Sequence, residues 1–169
     1  KWKSRNEDVQ VAFCSATSKP SIKDHWILDS GGASSHMTCR KELITGLRNT
    51  LSHEYVRMGD GRRIKVCGIG NVSISAVSNE GITGITLKNV LYVPELATSL
   101  ISLPKVTENK LRILFDGSTC KIKTKEGRLM AQGVKNGNLY FLLERGIQHV
   151  KRGLKEEALV ANSEIGRAH

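Results

Sequence analysis

The stretch from residue 26 to residue 37 constrains the fold of this chain more than any other. It reads Trp26-Ile27-Leu28-Asp29-Ser30-Gly31-Gly32-Ala33-Ser34-Ser35-His36-Met37. The short apolar run predicts a buried β-strand, and the polar residues and glycines after it predict a tight turn. The strand would deliver Asp29 to the turn, where backbone amides and the Ser30 hydroxyl can hydrogen-bond its carboxylate. The order of these residues therefore predicts a carboxylate at the end of a strand.

A single Asp-Ser-Gly sequence, residues 29–31, occurs in the chain. Aspartic proteases present their acid in such a turn, but their chemistry requires two carboxylates that share a proton, because like charges about 3 Å apart cannot both ionise. If Asp29 is catalytic, the second carboxylate must come from a second copy of the chain. An isolated Asp-Ser-Gly is also a common turn, so the surrounding residues must decide between the two interpretations.

Length and composition favour one small domain with tails. The chain has 169 residues, of which 39% are hydrophobic, and no apolar run approaches the roughly 18 residues that cross a bilayer. We therefore expect no membrane partner. The four cysteines are widely spaced and form no CxxC pair, which argues against a zinc ribbon and favours free thiols in a reducing compartment. We expect no metal and no cofactor.

The net charge of +10 makes association with nucleic acid or another polyanion electrostatically easy. The basic residues form no block of five or more, and the few aromatic residues (5%) do not interleave with them as on platforms that stack single strands. We interpret the charge as a background property. Weak association with nucleic acid, and a basic nucleic-acid-binding module as an alternative function, stay open.

Closely spaced turns predict an all-β chain. Alternating residues at 53–58 and 62–66 flank Gly59-Asp60-Gly61 and predict a hairpin. The return strand continues through residues 67–77, where Gly68 and Gly70 predict a bulge or a close backbone approach.

Further strands are expected at residues 82–93 and 97–103, followed by a short helix at 104–109 that begins with Pro104. Three hairpin turns follow at 116–117, 126–127 and 136–137. The core positions expected in the first of these strands are Ile82, Ile85, Leu87, Val90 and Leu91. In all, eight to ten short strands predict a small barrel.

An ordered set of motifs resembles the protease region of copia-type retrotransposon Pol polyproteins. The motifs are Trp26 to Gly31, Ser35-His36-Met37, Met58 to Gly61, Leu87 to Pro94 and Leu100 to Leu103. Residues 115–122 and 137–140 look like the segment that these polyproteins carry between protease and integrase. The resemblance covers about residues 24 to 143.

The resemblance implies an all-β, retropepsin-like small closed barrel that works as a homodimer and cleaves peptide segments of its own polyprotein. It implies that Asp29 is catalytic and that Ser30 and Gly31 fix its loop. The hairpin at residues 55–77 would be a flap over the bound peptide, and its tip and substrate-binding residues would be Met58, Gly59, Asp60 and Gly61. The implied location is a cytoplasmic virus-like particle.

Supporting residues have simpler expected roles. We expect Asp60 to form the hairpin turn, because Gly-Asp-Gly favours it geometrically. His36 is expected to be packed or hydrogen-bonded near the loop, since this chemistry needs no histidine base. By the same resemblance, Leu100-Ile101-Ser102 is the strand behind the active-site loop, with Ser102 where viral relatives usually carry glycine.

The resemblance divides the chain into four parts. Residues 1–23 are expected to be a largely disordered linker, 24–110 the protease, 111–143 a β-hairpin segment that precedes integrase, and 144–169 a polar tail.

The chain departs from the family pattern in the loop after Asp29. The family usually reads Asp-Ser-Gly, a small residue or Cys, Ser or Thr, any residue, His, Met, whereas Gly31-Gly32 adds one residue here. A glycine can be absorbed as a bulge, but it loosens a loop that must hold a carboxylate still. A catalytically inactive, decayed or spacer-type protease-like domain is therefore an alternative function.

Overall fold

A computed structural model describes residues 21–30, 33–50 and 54–146. Within them lie twelve β-strands, one α-helix and two short 3-10 helices at Ile22–Asp24 and Lys41–Leu43. The α-helix, α1, spans Leu103–Glu108. The strands are β1 Trp26–Asp29, β2 Met37–Thr38, β3 Ile44–Arg48, β4 Tyr55–Arg57, β5 Arg63–Lys65, β6 Gly68–Ser78, β7 Gly81–Tyr92, β8 Ser99–Ser102, β9 Arg112–Asp116, β10 Thr119–Lys123, β11 Leu129–Asn136 and β12 Leu139–Leu142. The all-β prediction is confirmed.

Ten of the strands form one sheet in the order β3-β6-β7-β2-β8-β1-β12-β11-β10-β9, and β4 and β5 form a separate two-stranded ribbon. Strand β1 lies in the interior of the large sheet, parallel to β8 and antiparallel to β12. Strand β2 pairs with β8 and β7. The strand that ends at Asp29 is therefore paired on both sides.

The predicted closed barrel is wrong for the described residues, because the large sheet has two edges, β3 and β9. The sheet curls back on itself where Val77 N–H donates to Leu143 O at 2.9 Å and Arg145 N–H donates to Ser75 O at 2.9 Å. Strand β12 already pairs with β1 and β11, so its backbone is not available to close the sheet against β6.

The main core lies where β1, β6, β8, β11 and α1 converge. Its fully buried members include Trp26, Val72, Val90, Ile101 and Leu142. Alternation along β6 places every second residue inward between Gly68 and Ala76, as expected for a strand with one buried face. The core therefore draws side chains from both the first and the last described strands.

Of the five core positions predicted in β7, Leu87 and Val90 are buried, and Ile85 and Leu91 are half-buried. The prediction for Ile82 is wrong, because its side chain is 46% exposed. Ile82 is the second residue of β7, directly after the turn that joins β6 to β7.

The predicted short helix is confirmed at Leu103–Glu108, one residue earlier than expected, with Pro104 in its first turn. The three predicted hairpin turns are also confirmed. Each contains a glycine with positive φ: Gly117 at 52°, Gly127 at 94° and Gly137 at 64°.

Strands β9 to β12 lie in the same sheet as β1, β2, β3, β6, β7 and β8. The division into a protease and a separate segment at 111–143 stays a prediction. Of the expected linker at 1–23 and the expected tail at 144–169, residues 1–20 and 147–169 lie outside the described residues.

The prediction of a close backbone approach at Gly68 and Gly70 is confirmed. A Cβ built on Gly68 would lie 2.7 Å from Leu47 Cδ1, and one on Gly70 would lie 2.8 Å from the backbone oxygen of Thr45. The ladder between β6 and β7 also shifts register between Gly70 and Val72. Strand β3 can therefore lie against β6 only because these positions lack side chains.

Replacing Gly70 with alanine should destabilise the fold by about 1–3 kcal/mol, because the new methyl group must displace the backbone of β3. Gly84→Ala on β7 is the matched control, since a Cβ at that position would have no other atom within 4 Å. That variant should be within about 1 kcal/mol of the wild type. Urea denaturation measures both, and equal stability of the two variants would contradict the packing described for Gly70.

Candidate functional site

Asp29 is the last residue of β1, at the point where the strand leaves the core. The three residues before it, Trp26, Ile27 and Leu28, are at most 5% exposed, whereas Asp29 is half-buried and Ser30 is exposed. The structure thus has the buried strand that the sequence predicts, and Asp29 lies at its end, as expected. Gly31, which the sequence places in the same loop, and Gly32 lie outside the described residues.

Ser102 connects the elements around Asp29. It is fully buried and lies opposite Asp29 in the parallel register of β1 and β8. Its backbone N–H donates to His36 Nδ1 at 3.0 Å, and its hydroxyl donates to the backbone oxygen of Ala33 at 2.5 Å. The same hydroxyl accepts from Lys105 N–H at 3.3 Å and caps α1.

Both described ends of the loop between Asp29 and Ala33 are therefore fastened to one residue. Asp29 is held through strand pairing, and Ala33 is held through the Ser102 hydroxyl. Because Ser102 is buried at the start of α1, it joins both loop ends to the core. This arrangement fixes where the chain enters and leaves the loop.

His36 is an acceptor in this network and not a charged group. It is 6% exposed, and its Nδ1 accepts from Ser102, which places the proton of the neutral ring on Nε2. Burial, followed by the nearby charge of Lys105, lowers the pKa of His36. The expectation that His36 is hydrogen-bonded near the loop is confirmed.

A hydrogen bond between two side-chain hydroxyl groups fixes the other end of β8. Thr38 Oγ1 and Ser99 Oγ lie 2.7 Å apart, and both residues are fully buried. Thr38 Oγ1 also accepts from Arg40 N–H at 3.1 Å. Strand β8 is thus joined to β2 and the Asp29 loop by serines at both of its ends.

The apolar face of the β4–β5 ribbon packs beside the Asp29 loop. Ile64 and Val66 are buried in a cluster with Met37, against which Ala33 and Met58 also pack. Among the residues predicted to form the flap tip, Met58 therefore contacts the same cluster as the loop. Gly59, Asp60 and Gly61 are exposed at the turn of the ribbon.

Asp60 forms that turn, as expected. Its carboxylate accepts from Arg62 N–H at 3.0 Å and from Arg62 Nε at 2.6 Å. These two bonds, the backbone one first, lower the pKa of Asp60. Gly61, with φ of 86°, completes the turn by donating its N–H to Met58 O at 2.9 Å.

The outward face of the same ribbon carries Tyr55, Arg57, Arg63 and Lys65, all exposed. Arg63 Cζ lies 4.7 Å from the centre of the Tyr55 ring. One aromatic ring therefore lies among the basic residues of this face, an arrangement that the sequence analysis does not identify. Period-two alternation in two short strands is the sequence signal that could have revealed it.

A cavity of about 610 Å³, lined in part by His36, lies between β7, α1 and β11. Its walls include Ser35, Leu87, Lys105, Val106 and Met130. Of the described residues in its walls, none is Asp29 or belongs to the β4–β5 ribbon, so the cavity is separate from the predicted site.

Within the described ranges, no group of three His, Cys, Asp or Glu side chains could hold a metal ion. Cys39, Cys67 and Cys120 are free thiols, and burial raises the pKa of Cys120 to about 11. Cys14 lies outside the described residues. No described helix has the length and apolar character to cross a membrane.

The chain is similar in sequence to known proteins over most of its length. The family described as "Pol polyprotein, beta-barrel domain" matches residues 26–111, a little over half of the chain. The chain is also 28% identical over 127 residues to the "Retrovirus-related Pol polyprotein from transposon RE1" of Arabidopsis thaliana. That alignment covers 74% of this chain and 8% of the relative, so the chain corresponds to a small part of the longer polyprotein.

The burial of His36 should make the stability of the fold depend on pH. Because the pKa of His36 is lowered on folding, the unfolded chain binds a proton at His36 at higher pH than the folded chain does. Stability is thus full above the unfolded value of about 6.5 and decreases as the pH falls from there through the lowered pKa. His25, whose pKa burial also lowers, adds an effect of the same sign.

Two variants separate the role of His36. In His36→Asn the amide oxygen can still accept from Ser102 N–H but cannot titrate, so urea denaturation at pH 7.5 and 5.5 should show a smaller stability loss than in the wild type. His36→Leu leaves that N–H without an acceptor and should cost about 1–3 kcal/mol at pH 7.5. Identical pH dependence in the wild type and His36→Asn would contradict the assignment.

Proposed function

We propose that this chain, which belongs to the family of Pol polyprotein β-barrel domains and is part of a copia-type retrotransposon Pol polyprotein, is an aspartic endopeptidase. Asp29 is the catalytic carboxylate, and each subunit of a homodimer contributes one. The substrates are extended peptide segments of the polyprotein itself. No cofactor takes part in this chemistry.

The observation that carries the proposal is the position of Asp29. The carboxylate lies at the end of an interior strand, half-buried, directly opposite a buried serine that also holds the far side of its loop. Catalytic groups must be held within fractions of an ångström by residues that are themselves locked in place. Ser102, with three hydrogen bonds to separate elements, fulfils this requirement.

The chemistry follows from two such carboxylates sharing one proton. The ionised Asp29 of one subunit takes a proton from a water molecule as the water attacks the scissile carbonyl carbon. The protonated Asp29 of the partner subunit donates its proton to the carbonyl oxygen, and a tetrahedral diol forms. Its collapse protonates the leaving amine and restores one shared proton. The single Asp-Ser-Gly of the chain makes the second subunit necessary.

In this proposal the β4–β5 ribbon is the flap, with Met58, Gly59, Asp60 and Gly61 at its tip. Its apolar face already packs on the cluster that contains Ala33 and Met37. Within the described part of the chain, β4 and β5 pair only with each other, so their outer edges retain backbone donors and acceptors. An extended peptide can bind such an edge by strand addition, with side-chain pockets giving selectivity.

The additional glycine at position 32 favours the alternative of an inactive, decayed or spacer-type domain. The network around Ser102 argues for activity, because it anchors Asp29 on one side of the insertion and Ala33 on the other. The catalytic function therefore depends on whether two fixed ends compensate for one extra residue between them.

Self-processing of a longer polyprotein that includes this chain tests the proposal. The wild type should cleave at mildly acidic pH, and Asp29→Asn should lower the rate by at least about 10²-fold, because an amide cannot exchange the proton. Asp116→Asn, which alters an exposed carboxylate at the end of β9, is the matched control and should cleave like the wild type. If neither the wild type nor Asp29→Asn cleaves although both dimerise, the spacer alternative is correct.

Ser102→Ala tests the positioning role directly. The variant keeps the backbone bond to His36 but loses the hydroxyl bonds to Ala33 and Lys105. The kcat for a peptide substrate should fall by about 10–10²-fold with little change in KM, because the carboxylate moves while the peptide-binding surfaces remain. An equal rise in KM with unchanged kcat would show that Ser102 acts on substrate binding instead.

A further inference from the structure

We propose that the outward face of the β4–β5 ribbon binds single-stranded nucleic acid. This basic face is defined by Tyr55, Arg57, Arg63 and Lys65. It lies on the same ribbon as the proposed flap, but on the face opposite the apolar cluster beside Asp29. The ligand class is a single strand whose phosphates contact the cations and whose bases stack on the ring.

Strand register concentrates the positive charge on this face. Tyr55 lies opposite Lys65, and Arg57 lies opposite Arg63, with Val56 and Ile64 between them on the inward face. Directly opposed side chains have Cβ atoms only about 5 Å apart, and like charges in such positions repel each other. A phosphate group that contacts Arg57 and Arg63 together would remove this repulsion.

In the part of the chain that the structure describes, none of the three cations forms an ion pair with a carboxylate. The ion pairs among the described residues are Arg40–Glu42, Arg62–Asp60 and Lys105–Glu108. Asp60, the acid at the ribbon turn, is thus engaged by Arg62 and not by the basic face. The charges of Arg57, Arg63 and Lys65 are therefore directed to solvent and available to an anion.

Tyr55 provides the feature that distinguishes nucleic acid from other polyanions. Its side chain is 46% exposed, and the Arg63 guanidinium lies 4.7 Å from the ring centre. An aromatic ring beside an arginine is a surface on which a base can stack, whatever its identity. An acidic peptide could pair with the cations but would gain nothing comparable from the ring. These observations favour a single-stranded nucleic acid with little sequence preference.

Fluorescence anisotropy with a labelled single-stranded DNA of about 12 nucleotides tests the proposal. The full chain carries Asp29→Asn throughout, so that self-cleavage cannot affect the result. The variant Arg57→Gln/Arg63→Gln should bind at least about 10-fold more weakly. The slope of log K against log salt concentration should become shallower by about 1.4, at roughly 0.7 per lost phosphate contact.

The matched control is Arg112→Gln/Lys123→Gln. It removes another pair of directly opposed cations, on β9 and β10, and changes the net charge by the same amount. This control should bind like the parent chain. Equal loss of affinity in both double variants would overturn the proposal, since general charge attraction would then explain the binding.

The ring is tested by Tyr55→Ala and Tyr55→Phe. The alanine variant should lose roughly 5- to 150-fold in affinity, and the phenylalanine variant should retain it, because stacking requires the ring and not the hydroxyl. Unchanged binding by Tyr55→Ala would overturn the proposal. So would competition by a polyglutamate peptide as effective as that by unlabelled DNA at equal charge concentration, which would identify an acidic polypeptide as the ligand.

Discussion

The hydrogen bonds of Ser102 are the interactions on which the rest of the candidate site depends. One buried residue pairs with Asp29 through the sheet, donates to His36 and Ala33, and caps α1. In a dry interior a lost partner leaves a polar group unsatisfied, so such a network is stable only when it is complete. The loop that carries Asp29 is therefore held from outside, by a strand and a helix that belong to the core.

The same constraint connects the fold to the proposed chemistry. Strand β1 carries Asp29 and is paired with β8 on one side and with β12 on the other, so the last described strand supports the first. The matching family covers residues 26–111, whereas the partner strand β12 lies at Leu139–Leu142. The later hairpins thus contribute to the scaffold of the site although they lie beyond the segment that defines the family.

Local features of this fold could be predicted from the sequence because they depend on neighbouring residues. The ribbon turn follows from Gly59-Asp60-Gly61, the helix start follows from Pro104, and the close approach of β3 follows from Gly70. Barrel closure could not be predicted in this way. It depends on which strand edges remain unpaired, and local periodicity contains no information on that.

The candidate site shows the same division. Asp29 was predictable because an apolar strand followed by polar and glycine residues is a local pattern. The bond from Ser102 to His36 joins residues 66 positions apart, and no local pattern indicates it. The basic face could not be predicted from the sequence for a different reason. The distribution of charge along the whole chain does not reveal it, because alternation within β4 and β5 sorts the cations onto one side.

The most direct test of the Ser102 network is the ¹⁵N spectrum of the His36 ring in the full chain at neutral pH. We predict a neutral ring with the proton on Nε2 and with Nδ1 accepting a hydrogen bond, together with slow exchange of the Ser102 amide proton. A ring protonated on Nδ1, or a rapidly exchanging Ser102 amide, would contradict this prediction. Either result would show that the hydrogen bond from the Ser102 N–H to His36, one of the bonds of this network, does not form.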